Sequence, residues 1–157
     1  MLNLYLAGGL FNAGERQHIM HLEEHLLRLG HNVIVPQREA LKFQNPTDFT
    51  FDVKGIVRDC RAASENSDNL YVGCADGADA DSGTCVEYGH AMTATGRALL
   101  YRTDFRTAVE REVGLNAMLQ QDGTIFIYFP CFAITLEEFV GYYHELASKI
   151  HEAVSSC

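Results

Sequence analysis

Short apolar runs alternate with segments of helical periodicity along almost the whole chain, and this alternation most constrains the fold. Residues 2–7 are apolar and close on Gly8-Gly9, the pattern of a buried strand ending in a tight turn. Over residues 13–29, Ile19, Leu22, Leu26 and Leu29 recur at helical spacing, and Gly30 follows as a stop. Further strands are expected at 32–35, 69–74, 98–101 and 124–129. Helices are expected at about 51–66, 82–95 and 109–121. Thr135 followed by Glu137-Glu138 reads as an N-cap with an acidic first turn, opening a last helix to about residue 154. Residues 37–50 are polar and weakly periodic, and are expected to form a long loop of functional use. Five strands alternating with helices predict an α/β fold: a doubly wound, flavodoxin-like or Rossmann-like five-stranded parallel sheet with helices on both faces. A single domain over 1–157 is expected, with ligands beyond the carboxyl ends of the strands.

The charge narrows the partners. Twelve Lys and Arg face 21 Asp and Glu, a formal −9, which suits neither phosphate backbones nor anionic membranes. Neutral or small ligands are left, with no nucleic acid and no membrane expected as partner. Five cysteines without a C-x-x-C pair make no disulfide framework or zinc module. With no basic leader and no apolar run of spanning length, a cytoplasmic location is expected.

Three loops carry chemical potential. Gly8 and Gly9 let backbone approach a ligand, with Phe11 just beyond and Tyr5 inside the strand, although neither G-x-G-x-x-G nor a P-loop motif occurs. The stretch from Asp76 to Ala91 has acidic spacing that fails the EF-hand order. It places Glu87 one turn inside a helix opening at the sheet's C-terminal edge, with Gly83 and Gly89 leaving room, where the helix N-terminus favours an ionised carboxylate. Asp59 falls on the preceding helix, beside Cys60 and Ala62-Ala63, on a face expected to be partly buried. Carboxylates converging from separate elements suit the cleavage of glycosidic bonds.

Leu4-Tyr5-Leu6-Ala7-Gly8, the Asp59–Asp68 spacing, Asp81-Ser82-Gly83-Thr84-x-x-Glu87-x-Gly89-x-Ala91 and Leu115-Asn116-Ala117-Met118-Leu119 together resemble the nucleoside 2-deoxyribosyltransferases. The resemblance implies that Glu87 is the nucleophile attacking C1′ of a 2′-deoxynucleoside, with Tyr5 orienting it. It makes Asp59 and Asp81 the carboxylates that contact base or sugar and assist proton transfer. It has Asn116 reach a neighbouring subunit's site, hence a homo-oligomer, dimeric or dimer-based. Substrates would be 2′-deoxynucleosides and free nucleobases, with no cofactor and no metal.

Tyr88 and His90 depart from that family's pattern, and His90 lies on the face of Glu87. An alternative is the related 2′-deoxynucleoside 5′-monophosphate N-glycosidase activity, which Asp81 disfavours because it would repel a phosphate. A non-catalytic nucleoside-binding module is a further alternative; a phospho-receiver is disfavoured because no lysine lies between Lys54 and Lys149. His18, His21 and His25 share a helical stripe with metal-like spacing, but are expected at a packing boundary or subunit contact.

Overall fold

The computed structural model describes residues 1–105 and 114–156. Its sheet is all parallel, built from β1 (Asn3–Ala7), β2 (Asn32–Ile34), β3 (Asn69–Cys74), β4 (Ala98–Arg102) and β5 (Thr124–Tyr128) in the order β2-β1-β3-β4-β5. The helices are α1 (Ala13–Arg28), α2 (Pro36–Glu39), α3 (Val53–Glu65), α4 (Ser82–Thr95) and α5 (Leu136–Ser155). The doubly wound expectation holds, and the order reverses between β1 and β3, where such folds bind ligands.

The two-residue period of the strands sorts the core onto two faces. Leu4 and Leu6 point to a layer containing Ile19, Leu22 and Leu26 of α1 and Leu146 and Ile150 of α5. Tyr5 and Ala7 point the other way, toward Tyr71, Leu100 and, on α4, Tyr88 and Ala91. Every residue of β3 is buried, as a central parallel strand requires.

Helix ends follow their local chemistry. Asn12 and Glu15 form a capping box at α1, Thr135 and Glu138 another at α5. Gly96, with φ 68°, ends α4 in the left-handed conformation that glycine adopts without strain.

Two expectations need correction. Residues 37–50 are not one open loop. Pro36, whose missing N–H costs nothing at a first helical position, starts α2, which runs into a 3-10 turn, Ala40–Phe43. A bridge between Gln44 and Phe51 then closes the excursion. The helix expected at 109–121 falls partly on residues 109–113, outside the described residues. Beyond them Gly114 stands at φ 63° and Asn116 caps a short 3-10 turn, Ala117–Leu119, so no α-helix runs to 121.

Candidate active site

At the reversal point the end of β1, the start of α4, α2 and α3 enclose a cavity of about 410 Å³. Gly8, Phe11, Asp81, Gly83 and Glu87 line it, as the sequence suggested. Tyr5 lies beneath: its side chain is buried, and its hydroxyl donates to Glu87 Oε1 at 2.8 Å. Tyr71 donates to the Thr84 carbonyl at 2.7 Å, tying the first turn of α4 to β3 and fixing the helix that carries Glu87.

Burial decides the state of Glu87. Loss of solvent, reinforced by the nearby Asp81 charge, outweighs hydrogen bonds from Tyr5 and Cys60 and pushes its pKa up to about 7. The helix N-terminus therefore does not hold it firmly ionised, as its position in the sequence suggested. The Tyr5 hydroxyl is pushed far above its ordinary range, chiefly by burial and then by the Glu87 charge. It stays protonated and serves as a donor.

The first loop is closely packed at its glycines, against the side chains of Ile19 and Glu15. A Cβ on Gly8 would lie 2.9 Å from Ile19 Cδ1, and one on Gly9 would lie 2.6 Å from Glu15 Cδ. Gly9 itself lines an adjoining cavity of about 450 Å³, shared with Asp76, Asp79 and Asp81. Glu15 Oε2 accepts from the N–H groups of Phe11 (2.8 Å) and Asn12 (3.3 Å). A carboxylate of the chain thus occupies two N–H donors at the entry to this helix.

Asp81 caps α4 by accepting from Thr84 N at 2.9 Å, and lines both cavities. Asp59 departs from expectation. It is exposed, pairs with Arg58 at 3.2 Å, and lines a second cavity, with Glu39 and Asn66, that adjoins the first through Pro36 and Cys60. The inward stripe of α3 runs through Gly55, Ile56, Cys60, Ala63 and Ser64, leaving Asp59 on its rim. Cys60 is the α3 residue electrostatically linked to both Tyr5 and Glu87, and burial pushes its thiol pKa up. Asn116 is exposed, accepts from Met118 N at 3.0 Å, and does not line the cavity.

The departures at Tyr88 and His90 are structural. Tyr88 is buried, bonding to the Leu119 carbonyl (3.1 Å) and Thr124 Oγ1 (2.6 Å). His90 meets Glu65 of α3 at 3.3 Å rather than Glu87. The sequence reading missed Arg16, Gln37 and Cys60, all lining the cavity. A strict count of helical phase on α3 would have put Cys60, not Asp59, on the inner face.

The histidine stripe does not gather around one point. His18 bonds to the hydroxyls of Tyr143 and Tyr101, each at 3.0 Å, whereas His21 stacks on Tyr143 and His25 meets His144. Among the described residues one group has metal-binding donor types: His18, Cys74 and Asp76, with one ligand atom of each within 4.8 Å of the others. Asp76 also holds Thr103 N and Oγ1 (both 2.5 Å) and Asp104 N (3.0 Å). With His18 bonded to both tyrosines, the group is a satisfied hydrogen-bond network. No described helix is long and apolar enough to cross a membrane.

Comparison with known proteins agrees with this geometry. The fold is similar to that of a conserved protein from Enterococcus faecalis V583, at 20% identity over 93% of this chain and 99% of that one, TM-score 0.61. It is also similar to a 2-deoxyribosyltransferase from Bacillus psychrosaccharolyticus, at 23% identity over 82% and 86% of the two chains, TM-score 0.58. A Klebsiella pneumoniae protein described only provisionally as a quinone reductase shares the fold at 11% identity, over 96% and 84%, TM-score 0.56. At these identities such likeness shows the fold alone. No curated protein matches the chain. Residues 4–146 match the family model described as nucleoside 2-deoxyribosyltransferase, nearly the whole chain from the strand of Tyr5 to the last helix. The chain belongs to the nucleoside 2-deoxyribosyltransferase family.

Proposed function

We propose that the chain exchanges the base of 2′-deoxynucleosides through a covalent deoxyribosyl ester on Glu87. The observation that carries this reading is the 2.8 Å bond from the buried Tyr5 hydroxyl to Glu87 Oε1, inside a cavity at the sheet's reversal point. A carboxylate oxygen of Glu87 bonds to C1′ as the C1′–N bond breaks, and that electron pair leaves with the base. The departing base takes up a proton at that nitrogen; a nitrogen of the second base then attacks C1′ as its N–H proton is lost to solvent, and the carboxylate is released. Tyr5 keeps one carboxylate oxygen engaged and leaves the other to react. The tetrahydrofuran-like sugar passes through an oxocarbenium-like state, which the adjacent negative charge of Glu87 stabilises.

A neutral nucleoside fits better than its 5′-phosphate. The N–H groups of Phe11 and Asn12 are committed to Glu15, and Asp81 sets a negative charge on the cavity wall. Asp81 is assigned to sugar or base contact, and Asn116, on an exposed turn, to the site of a neighbouring copy in a homo-oligomer.

Incubation with one 2′-deoxynucleoside and a different free base should yield the exchanged nucleoside by chromatography. Free deoxyribose alone would make the chain a hydrolase. Glu87→Ala should abolish exchange, and retained exchange would overturn the assignment.

A further inference from the structure

The cavity contains two polar groups that its apolar neighbours do not explain. Gln37 is 6% exposed, lines the cavity, and its Oε1 has no hydrogen-bond partner among the described residues. A buried acceptor left unmatched is costly, and such a group at a cavity wall calls for a donor from solvent or from a ligand. Its Nε2 lies 3.5 Å from the carbonyl oxygen of Arg16, so the amide rests on the first turn of α1 with its oxygen left over. Arg16 is half-buried and lines the same cavity. Its guanidinium has no ion pair or hydrogen bond among the described residues. Phe11 and Phe51, 79% and 43% exposed, flank these groups with aromatic surface on which a planar ring can stack.

Leaving-group chemistry makes the cation significant. Asp59 sits on the rim, in an adjoining cavity that shares Pro36 and Cys60 with this one, whereas Arg16 stands on this cavity's own wall. A base that leaves with the C1′–N electron pair then carries negative charge, and a guanidinium beside it stabilises that charge. Bases with a lactam edge, O=C–N–H, spread the charge onto the carbonyl oxygen and also offer an N–H donor. Amino bases offer no carbonyl at that edge.

We propose that Arg16 and Gln37 select bases with a lactam edge, Arg16 donating to the carbonyl oxygen and Gln37 Oε1 accepting from the ring N–H. This deepens the exchange reading and rests on it: the transferred bases would be hypoxanthine, guanine, uracil or thymine rather than adenine or cytosine. Arg16 also acts on the departing base, so its loss lowers the rate as well as affinity.

Calorimetric titration of the wild-type protein with free bases tests recognition without requiring turnover. Hypoxanthine should bind more tightly than adenine, and uracil more tightly than cytosine, each by about tenfold to a hundredfold. Exchange assays should show the same order. In Gln37→Met and Arg16→Met the hypoxanthine-to-adenine ratio should fall toward one, with kcat depressed as well in Arg16→Met. Equal binding of hypoxanthine and adenine by the wild-type protein overturns the proposal, as does an unchanged ratio in both variants. A selectivity for 2′-deoxyinosine 5′-monophosphate over 2′-deoxyinosine that Arg16→Met removes would also overturn it, assigning the cation to a phosphate. Selective base binding without exchange would sink the transferase reading while leaving the base selection in place.

Discussion

The acid strength of one residue governs the reactivity proposed here. Glu87 must be ionised to attack C1′, so kcat/KM should rise as pH is raised through about 7 and then level off. In Tyr5→Phe the ionised carboxylate loses a donor. The midpoint should move to higher pH, and the rate at pH 7 should fall about tenfold to a hundredfold. A pH–rate profile of both proteins checks this; an unshifted midpoint would remove Tyr5 from the mechanism. The same residue burdens the fold. Its folded pKa lies above the ordinary 4.5, so the native chain holds the proton more tightly than the unfolded one. Its contribution to stability is greatest below pH 4.5 and declines as pH rises through about 7. Glu87→Gln should therefore stabilise the chain at pH 8, on the order of 2 to 3 kcal/mol, and hardly at all near pH 4, as denaturant titrations at the two pH values would show.

At the scale of elements, periodic segments were legible and irregular ones were not. β3 and α4 have the bounds their patterns predict, because a continuous apolar run and a capped helix each carry their own punctuation. α2 and the turn after it did not show, since four-residue helices hold too few turns to display a period. That Asp81 and Glu87 stand together near Tyr5 was legible from an ordered motif, whereas Arg16 and Gln37 look like ordinary surface residues until the chain folds over them. Asp59 was expected on a partly buried face but is exposed, because helical phase turns Cys60 inward instead. The cap of α1 gives a separate test. Asn12→Ala removes the acceptor for Glu15 N at 3.1 Å, and should cost about 1 kcal/mol, lowering the melting temperature by about 3 °C in thermal denaturation.

Across the whole molecule the histidines mark one seam. His18, His21, His25 and His31 on the α1 side meet Tyr143, His144 and His151 of α5, with His31 Nε2 2.9 Å from His151 Nδ1. Burial lowers the pKa values of His18, His25 and His31, with Arg28 adding to the effect at His25 and His151 at His31. The unfolded chain takes up these protons more readily, so this stability is present above about pH 6.5 and lost as pH falls below it. In a Glu87→Gln background, where the opposing Glu87 contribution is removed, melting temperature should decline between pH 7 and 5. His31→Gln should flatten that decline; a curve identical to that of the background would exclude the pair as its source.

The Tyr5–Glu87 bond joins residues 82 positions apart, across two crossovers of a parallel sheet. Neither helix formation nor the docking of α1 on α5 brings these two side chains together. They meet only when β1 has paired with β3 and α4 has settled behind it, contacts of long sequence separation that form slowly. During refolding, assembly of the Tyr5–Glu87 pair is therefore a late clock: helical signal should return first, and the proposed exchange activity only once the centre of the sheet has closed.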